Sequence, residues 1–323
     1  MKTSRLRAFS CALLIAVALG YVSGHQLLGT SRDYENYIIF FDWSKSIPAN
    51  EAFSYRFEPG FILLAAGFAT LQISSAAIYG CIASITIFLK YIALQSTRNF
   101  WPVFAALTLY YAARYFTLFE MTVLRATVAL SLAFLAFYAR TAHEYRTKDL
   151  LLLLAAVSMH YSAIVFIPIY LIRPVNRATV IALGATSFVI ILATKNIALA
   201  ILPDYVPVFG TYQELTKATL LPIPFAVDIA FFCFILFNWR RNDALMKTCA
   251  LGMAIGIAFH FSLLEYSLLA SRFREILSVF YLLYVVRAVG YARNEVKYAT
   301  IAYAAVSATL HLYAGYVHDP LLT

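Results

Sequence analysis

Residues 122–140 read TVLRATVALSLAFLAFYAR, TAHEYRTKD follows at 141–149, and residues 150–173 read LLLLLAAVSMHYSAIVFIPIYLIR. Two apolar runs approaching the thickness of a bilayer flank a short charged connector, which is the pattern of consecutive membrane helices. Each run carries one residue that hydrocarbon tolerates poorly. Arg125 stands just inside the head of the first, and His160 interrupts the middle of the second. An ionisable group in a membrane segment costs several kcal/mol and turns toward a polar cavity or the protein interior. Two such groups on neighbouring segments mark a candidate site, and the rest of the chain reads as its surroundings.

The composition agrees. Of 323 residues, 62% are hydrophobic and only 13% charged, too few charges for a soluble surface. Apolar stretches alternate with short polar connectors along the whole length, and backbone groups in lipid must bond internally, so the spans are helices. The expected class is all-α: a single polytopic integral membrane domain over 1–323. A net charge of +9 would point to nucleic acid in a soluble protein. Here it is explained by Lys- and Arg-rich cytoplasmic loops, and no nucleic-acid partner is expected. Cys11, Cys81, Cys233 and Cys249 all lie in apolar runs and offer neither metal spacing nor a disulfide framework. The N-terminus resembles a signal peptide but reads as an uncleaved first helix.

Taken in order, a first span at 8–23 leads into an outer loop at 24–57, whose YENYIIFFDW portion is amphipathic and suited to the membrane surface. Residues 58–72 are apolar for too short a distance to cross. Spans follow at 74–95, 101–118 and 122–138. The 150–172 run, broken at His160 and carrying Pro168, reads as two short helices meeting at the histidine. Further spans are expected at 178–194, 222–238, 244–264, 276–289 and 298–313, with a second outer loop at 195–221. The basic clusters all fall on one side under two conditions. The His160 run must be a hairpin, and the 58–73 segment must be re-entrant or in-plane. That gives about eleven spans with the C-terminus outside. Arg32, Asp33, Arg56, Glu58, Arg125, His160, Glu265, Arg272, Arg274 and Glu275 then gather at the outer face. The loops on the inside carry only a solvated, orienting charge pattern that includes Arg98, and the 74–95 span ends with Lys90 and Arg98.

Each candidate has a bland use beside the chemical one. Arg125 either snorkels to headgroups or meets a phosphate. His160 either breaks a helix or serves as a general base. In RFEPG, Arg56 and Glu58 flank Phe57, and Pro59 suits a first helical turn. Glu58 either caps that helix or acts as a base over the membrane. Asp33, in SRDYENY, is a solvated loop carboxylate or a further base. In SRFRE, Arg272, Arg274 and Glu275 open a helix at the outer face. Cations are unfavourable at a helix N-terminus, which points to an anionic partner such as a diphosphate. HExxH, Walker, GxSxG and CxxC patterns are absent from the sequence, so neither a metal nor a cofactor is expected.

The order GTSRDYENYIIFF, RFEPGFILL, VLRATVALSLAFLAFYA, LLLLAAVSMHYSAIVFIPIYLI resembles the EpsG family, related in role to Wzy-type O-antigen and exopolysaccharide polymerases. The matching positions are Asp33, Tyr37, Glu58, Gly60, Arg125, Ala129, Ala156, His160, Ser162 and Ala163. Ala126 departs from the polar residue that often follows the arginine, and Arg32-Asp33 from the more usual Thr-Asp. The resemblance implies a GT-C-like helical bundle in the bacterial inner membrane. It would perform metal-independent glycosyl transfer at the periplasmic face, moving a growing glycan from undecaprenyl diphosphate onto a sugar hydroxyl of a second lipid-linked repeat unit. Arg125, Arg272 and Arg274 would neutralise the leaving diphosphate. Glu58, His160 or Asp33, in that order of preference, would take the acceptor's proton. Arg56 and Glu275 would border the substrate. A chain-length regulator and a flippase are implied as partners.

Two other activities use the same residue types. An O-antigen ligase, or another polyprenyl-linked sugar transferase, differs only in its acceptor. A flippase for lipid-linked oligosaccharide needs access from both faces, whereas the polar residues here gather at one.

Overall fold

The computed structural model describes residues 2–31, 33–46, 57–92, 100–139, 147–174, 176–205, 218–314 and 317. The described chain is an all-helical membrane protein. α1 (Lys2–Gly24) is followed by α2 (Tyr34–Ser46), α3 (Pro59–Ala69) and α4 (Ser75–Ile92). Next come α5 (Phe100–Arg114), a short α6 (Phe116–Phe119), α7 (Leu124–Ala139) and α8 (Thr147–Met159). A 3-10 turn (Tyr161–Val165) leads into α9 (Phe166–Leu171) and the long α10 (Arg177–Tyr205). The last five are α11 (Ile223–Phe237), α12 (Ala244–Ser262), α13 (Ser267–Leu277), α14 (Val279–Tyr291) and α15 (Asn294–Tyr313). α4, the Arg177–Ile201 part of α10, and α12 are each long and apolar enough to cross a membrane.

α1 and α4 run antiparallel in close contact. A Cβ on Gly24 would lie 2.6 Å from the Ala76 carbonyl oxygen and 2.9 Å from the Gly80 Cα, so glycine is what lets the two backbones meet. The chain between them therefore leaves and returns at one end of the bundle, carrying α2 and α3 there. α2 is amphipathic as its sequence suggests: Tyr37, Phe40, Phe41 and Ser44 are buried, while Glu35, Ile39, Asp42 and Ser46 are exposed. Its aromatic face packs with Phe57, Phe61, Ile78, Tyr79 and Leu124 into one apolar cluster.

The His160 run doubles back. The Tyr170 hydroxyl donates to Asp149 Oδ2 at 2.7 Å, although the two are separated by 21 residues. The end of α9 thus returns beside the start of α8, and His160 sits at the tip of a hairpin. Its extended backbone (φ −159°, ψ 114°) breaks the helix there. α8 rises only about 20 Å at 1.5 Å per residue. The hairpin packs inward through Phe137, which meets the Phe166, Tyr170 and Phe280 rings at 5.0–6.2 Å.

Several sequence expectations are corrected. The expected outer loop at 195–221 begins inside α10, because IALAILPDY continues the apolar helix through Tyr205. Residues 101–118 are not one helix: α5 ends at Arg114 and the chain bends at Tyr115. The 276–289 span begins instead with α13, and Ser278 separates α13 from α14. Arg272 consequently lies at the middle of α13 and Arg274 in its last turn, where the dipole favours a cation. The misplaced-charge reason for expecting an anion there no longer holds.

Candidate active site at the Glu58, Arg125 and His160 junction

Three segments far apart in sequence meet at the end of the bundle where α2 and α3 lie. Glu58 precedes α3 with extended backbone and Pro59 behind it, as its sequence context predicts. Its side chain makes no capping bond. It turns instead into the bundle, where one oxygen pairs with Arg125 and the other lies 2.9 Å from His160 Nδ1. The Tyr161 N–H reaches the same oxygen at 3.4 Å. Gly60 allows this approach: a Cβ there would lie 2.8 Å from the Ser158 carbonyl oxygen at the end of α8.

Arg125 is held from two further sides. The Tyr37 hydroxyl accepts its backbone N–H at 3.4 Å, and its guanidinium lies 4.4 Å from the Phe57 ring centroid. Its Nε is buried without a hydrogen-bond partner among the described residues.

Charge and burial settle the protonation pattern. Glu58 lies outside the helices. Burial pushes its carboxyl up, but the His160 hydrogen bond and the Arg125 and His160 charges outweigh this and hold it at about 2. An ionised carboxylate only accepts, so His160 Nδ1 carries the hydrogen and Nε2 bears a lone pair. His160, in the break between the α8 and 3-10 segments, is depressed below 6.5, chiefly by burial and against the pull of Glu58. At neutral pH this imidazole is unprotonated at Nε2.

The other candidates divide. α13 packs beside the 3-10 turn, and the Arg272 charge bears on His160. The charges of Arg272 and Arg274 both bear on the Glu275 carboxyl. Arg274 faces away, its guanidinium 5.6 Å from the Phe225 ring centroid on α11. Asp33 comes to the same end of the bundle, where its carbonyl accepts the Tyr37 N–H, but its carboxylate makes no hydrogen bond among the described residues. Arg32 and Arg56 lie outside the described residues. Among the described residues no cluster of His, Cys, Asp and Glu is arranged to hold a metal ion.

The model of the EpsG family matches residues 9–320. The chain belongs to that family. It is thereby a polymerase-like membrane protein of polysaccharide biosynthesis. No curated protein and no solved structure matches it.

This EpsG-family protein also holds two buried ion pairs that sequence reading passed over. Arg114 makes two bonds to Asp228, at 2.9 and 2.6 Å, and the same arginine reaches the hydroxyls of Tyr110, Tyr303 and Ser307. Lys90, which the sequence shows only as a charge near the end of the 74–95 span, is 3% exposed. It bonds Glu120 at 2.9 Å and Ser131 at 2.8 Å. The signal was present in the sequence: each of these charges interrupts an apolar run, as Arg125 does.

Proposed function

We propose that this EpsG-family protein polymerises undecaprenyl-diphosphate-linked oligosaccharide repeat units at the periplasmic face of the bacterial inner membrane. The observation that carries this is the Glu58 carboxylate bridging Arg125 and His160 Nδ1. It orients the imidazole so that the Nε2 lone pair is the base, and it makes Glu58 a positioning residue. His160 thus moves ahead of Glu58 in the expected order of bases. The acceptor hydroxyl gives its proton to Nε2 as its oxygen bonds the anomeric carbon of the donor. The bond from that carbon to the diphosphate breaks, and the diphosphate leaves as an anion. Direct displacement inverts the anomeric centre. Arg272 and the unused donors of Arg125 meet the developing charge, so no metal is required.

The path of the chain supports the orientation. With the 58–73 segment returning to its own end and the His160 run a hairpin, about eleven passes put the Lys- and Arg-rich loops inside. A chain-length regulator and a flippase remain the proposed partners, with surrounding lipid.

Two experiments test this. In cells lacking their own polymerase, Glu58→Ala, His160→Ala and Arg125→Ala variants at normal expression are expected to lose the glycan ladder. Full ladders from all three would sink the proposal. Single cysteines replacing Glu58, His160 and Arg274, in a chain freed of native cysteines, should react with a membrane-impermeant thiol reagent on intact cells. Labelling at 58 and 160 only after lysis would place the site in the cytoplasm and remove the polymerase reading.

A further inference from the structure

α13 stands between two polar regions. Arg272 and Arg274 are two residues apart, which places them about 200° apart around the helix. Arg272 serves the His160 side. On the other side, Arg274 shares the Phe225 ring with His260 of α12, whose ring centroid lies 4.3 Å from that of Phe225. No carboxylate among the described residues comes within ion-pair distance of Arg274.

His260 is 2% exposed. Its Nε2 lies 3.2 Å from the Leu220 carbonyl oxygen. A carbonyl only accepts, so Nε2 carries the hydrogen and Nδ1 a lone pair. That Nδ1 is buried with no partner among the described residues. Segment 218–221 is held over this region by the same contact and by the Ala218 N–H, which donates to the Leu264 carbonyl at 2.8 Å. The region therefore presents a cation with no carboxylate in direct contact and, across one aromatic ring, a buried acceptor without a donor, both among the described residues. A bare phosphate satisfies only the first. A phosphate bearing a hydroxylated group satisfies both.

We infer that Arg274, Phe225 and His260 form a second binding pocket, on the face of α13 turned away from His160, for a phosphate-linked glycosyl lipid. Arg274 holds the phosphate and His260 Nδ1 accepts a sugar hydroxyl. The inference rests on the polymerase reading and deepens it. A reaction joining two lipid-linked glycans needs two headgroup sites, and α13 would separate them. A glycerophosphate headgroup has the same chemistry, so the test must tell the two sources apart.

The measurement is native mass spectrometry of the delipidated full chain in detergent, titrated with undecaprenyl-diphosphate–N-acetylglucosamine, with phosphatidylglycerol as competitor. The unmodified protein should take up two equivalents of the glycosyl lipid. Arg274→Gln and His260→Phe should each weaken one equivalent by about tenfold or more and keep the other. Arg272→Gln should weaken the other one. Two equivalents bound by Arg274→Gln with unchanged affinity would overturn the inference. So would displacement of the second equivalent by phosphatidylglycerol at equal concentration, which would mark an ordinary lipid site. If Arg274→Gln loses both, Arg274→Lys decides: two equivalents support the pocket, and fewer overturn it. Failure of the polymerase reading shows separately, as full ladders from all three of Glu58→Ala, His160→Ala and Arg125→Ala.

Discussion

Arg114 with Asp228 and Arg125 with Glu58 are the same chemical pair put to opposite uses. Both join an arginine and a carboxylate from distant helices. The Arg114 pair is closed on itself: arginine and aspartate bond each other twice, and the Tyr110, Tyr303 and Ser307 hydroxyls all gather on the arginine Nη1. The Arg125 pair is left open. Its carboxylate is shared with an imidazole, its Nε has no partner among the described residues, and the His160 ring keeps a lone pair unused. A sealed pair answers the cost of burying charge and holds helices together. An open one keeps valences for a substrate. On the proposed reading, what distinguishes these two pairs is the unmet valence left at Arg125 and His160, and not the presence of charge.

The widest expected separation between the two pairs is in activity. His160→Gln should slow chain growth by about 10²–10⁴-fold, the usual worth of a general base, with an unchanged melting point in detergent. A comparable loss of melting point would mean that the open pair is scaffold as well. The sealed pair should behave in reverse. Asp228→Ala strands Arg114 and should cost about 3–5 kcal/mol of stability, read as thermal aggregation in detergent. The double replacement Arg114→Met with Asp228→Leu should recover most of that stability and still yield a glycan ladder. A stable but inactive double variant would break the distinction, since it would give the sealed pair a role in the reaction.

Two smaller effects sharpen the comparison. The pH profile of polymerisation should show an acid limb below 6.5. The base works only when Nε2 is unprotonated, and burial has lowered the pH at which it takes a proton. A limb above 6.5 would contradict a buried imidazole base. Least of all, Tyr170→Phe removes one hydroxyl from the base of the hairpin and should cost about 0.5–1.5 kcal/mol, measured as a shift in melting point. A large loss of polymer without a stability change would mean that the hairpin's base controls its tip.

The sequence made the membrane class, the amphipathic α2 and the break at His160 legible, because each is a local pattern of apolar and polar residues along the chain. It also pointed to Glu58, Arg125 and His160 one at a time, as charges or imidazole where hydrocarbon would exclude them. It showed Lys90 only as a charge near the end of a span, because a lysine near a helix end looks the same whether it faces headgroups or a buried Glu120. Arg114 and Asp228 went unnoticed for a related reason. Their partners lie 114 residues apart, and nothing along the chain announces such a pairing.

What the sequence determined by itself is thus the solvent in which the protein folds and the residues that solvent would not tolerate unpaired. Hydrophobicity and helical period are properties of neighbouring residues. Only the tertiary structure decided who pairs with whom: that Glu58 orients His160 in place of capping its own helix, that the tip of one hairpin meets the head of α7, and that Arg272 and Arg274 look to opposite sides. Those facts depend on which helices touch and on how each is rotated about its axis, and packing across the whole bundle sets both.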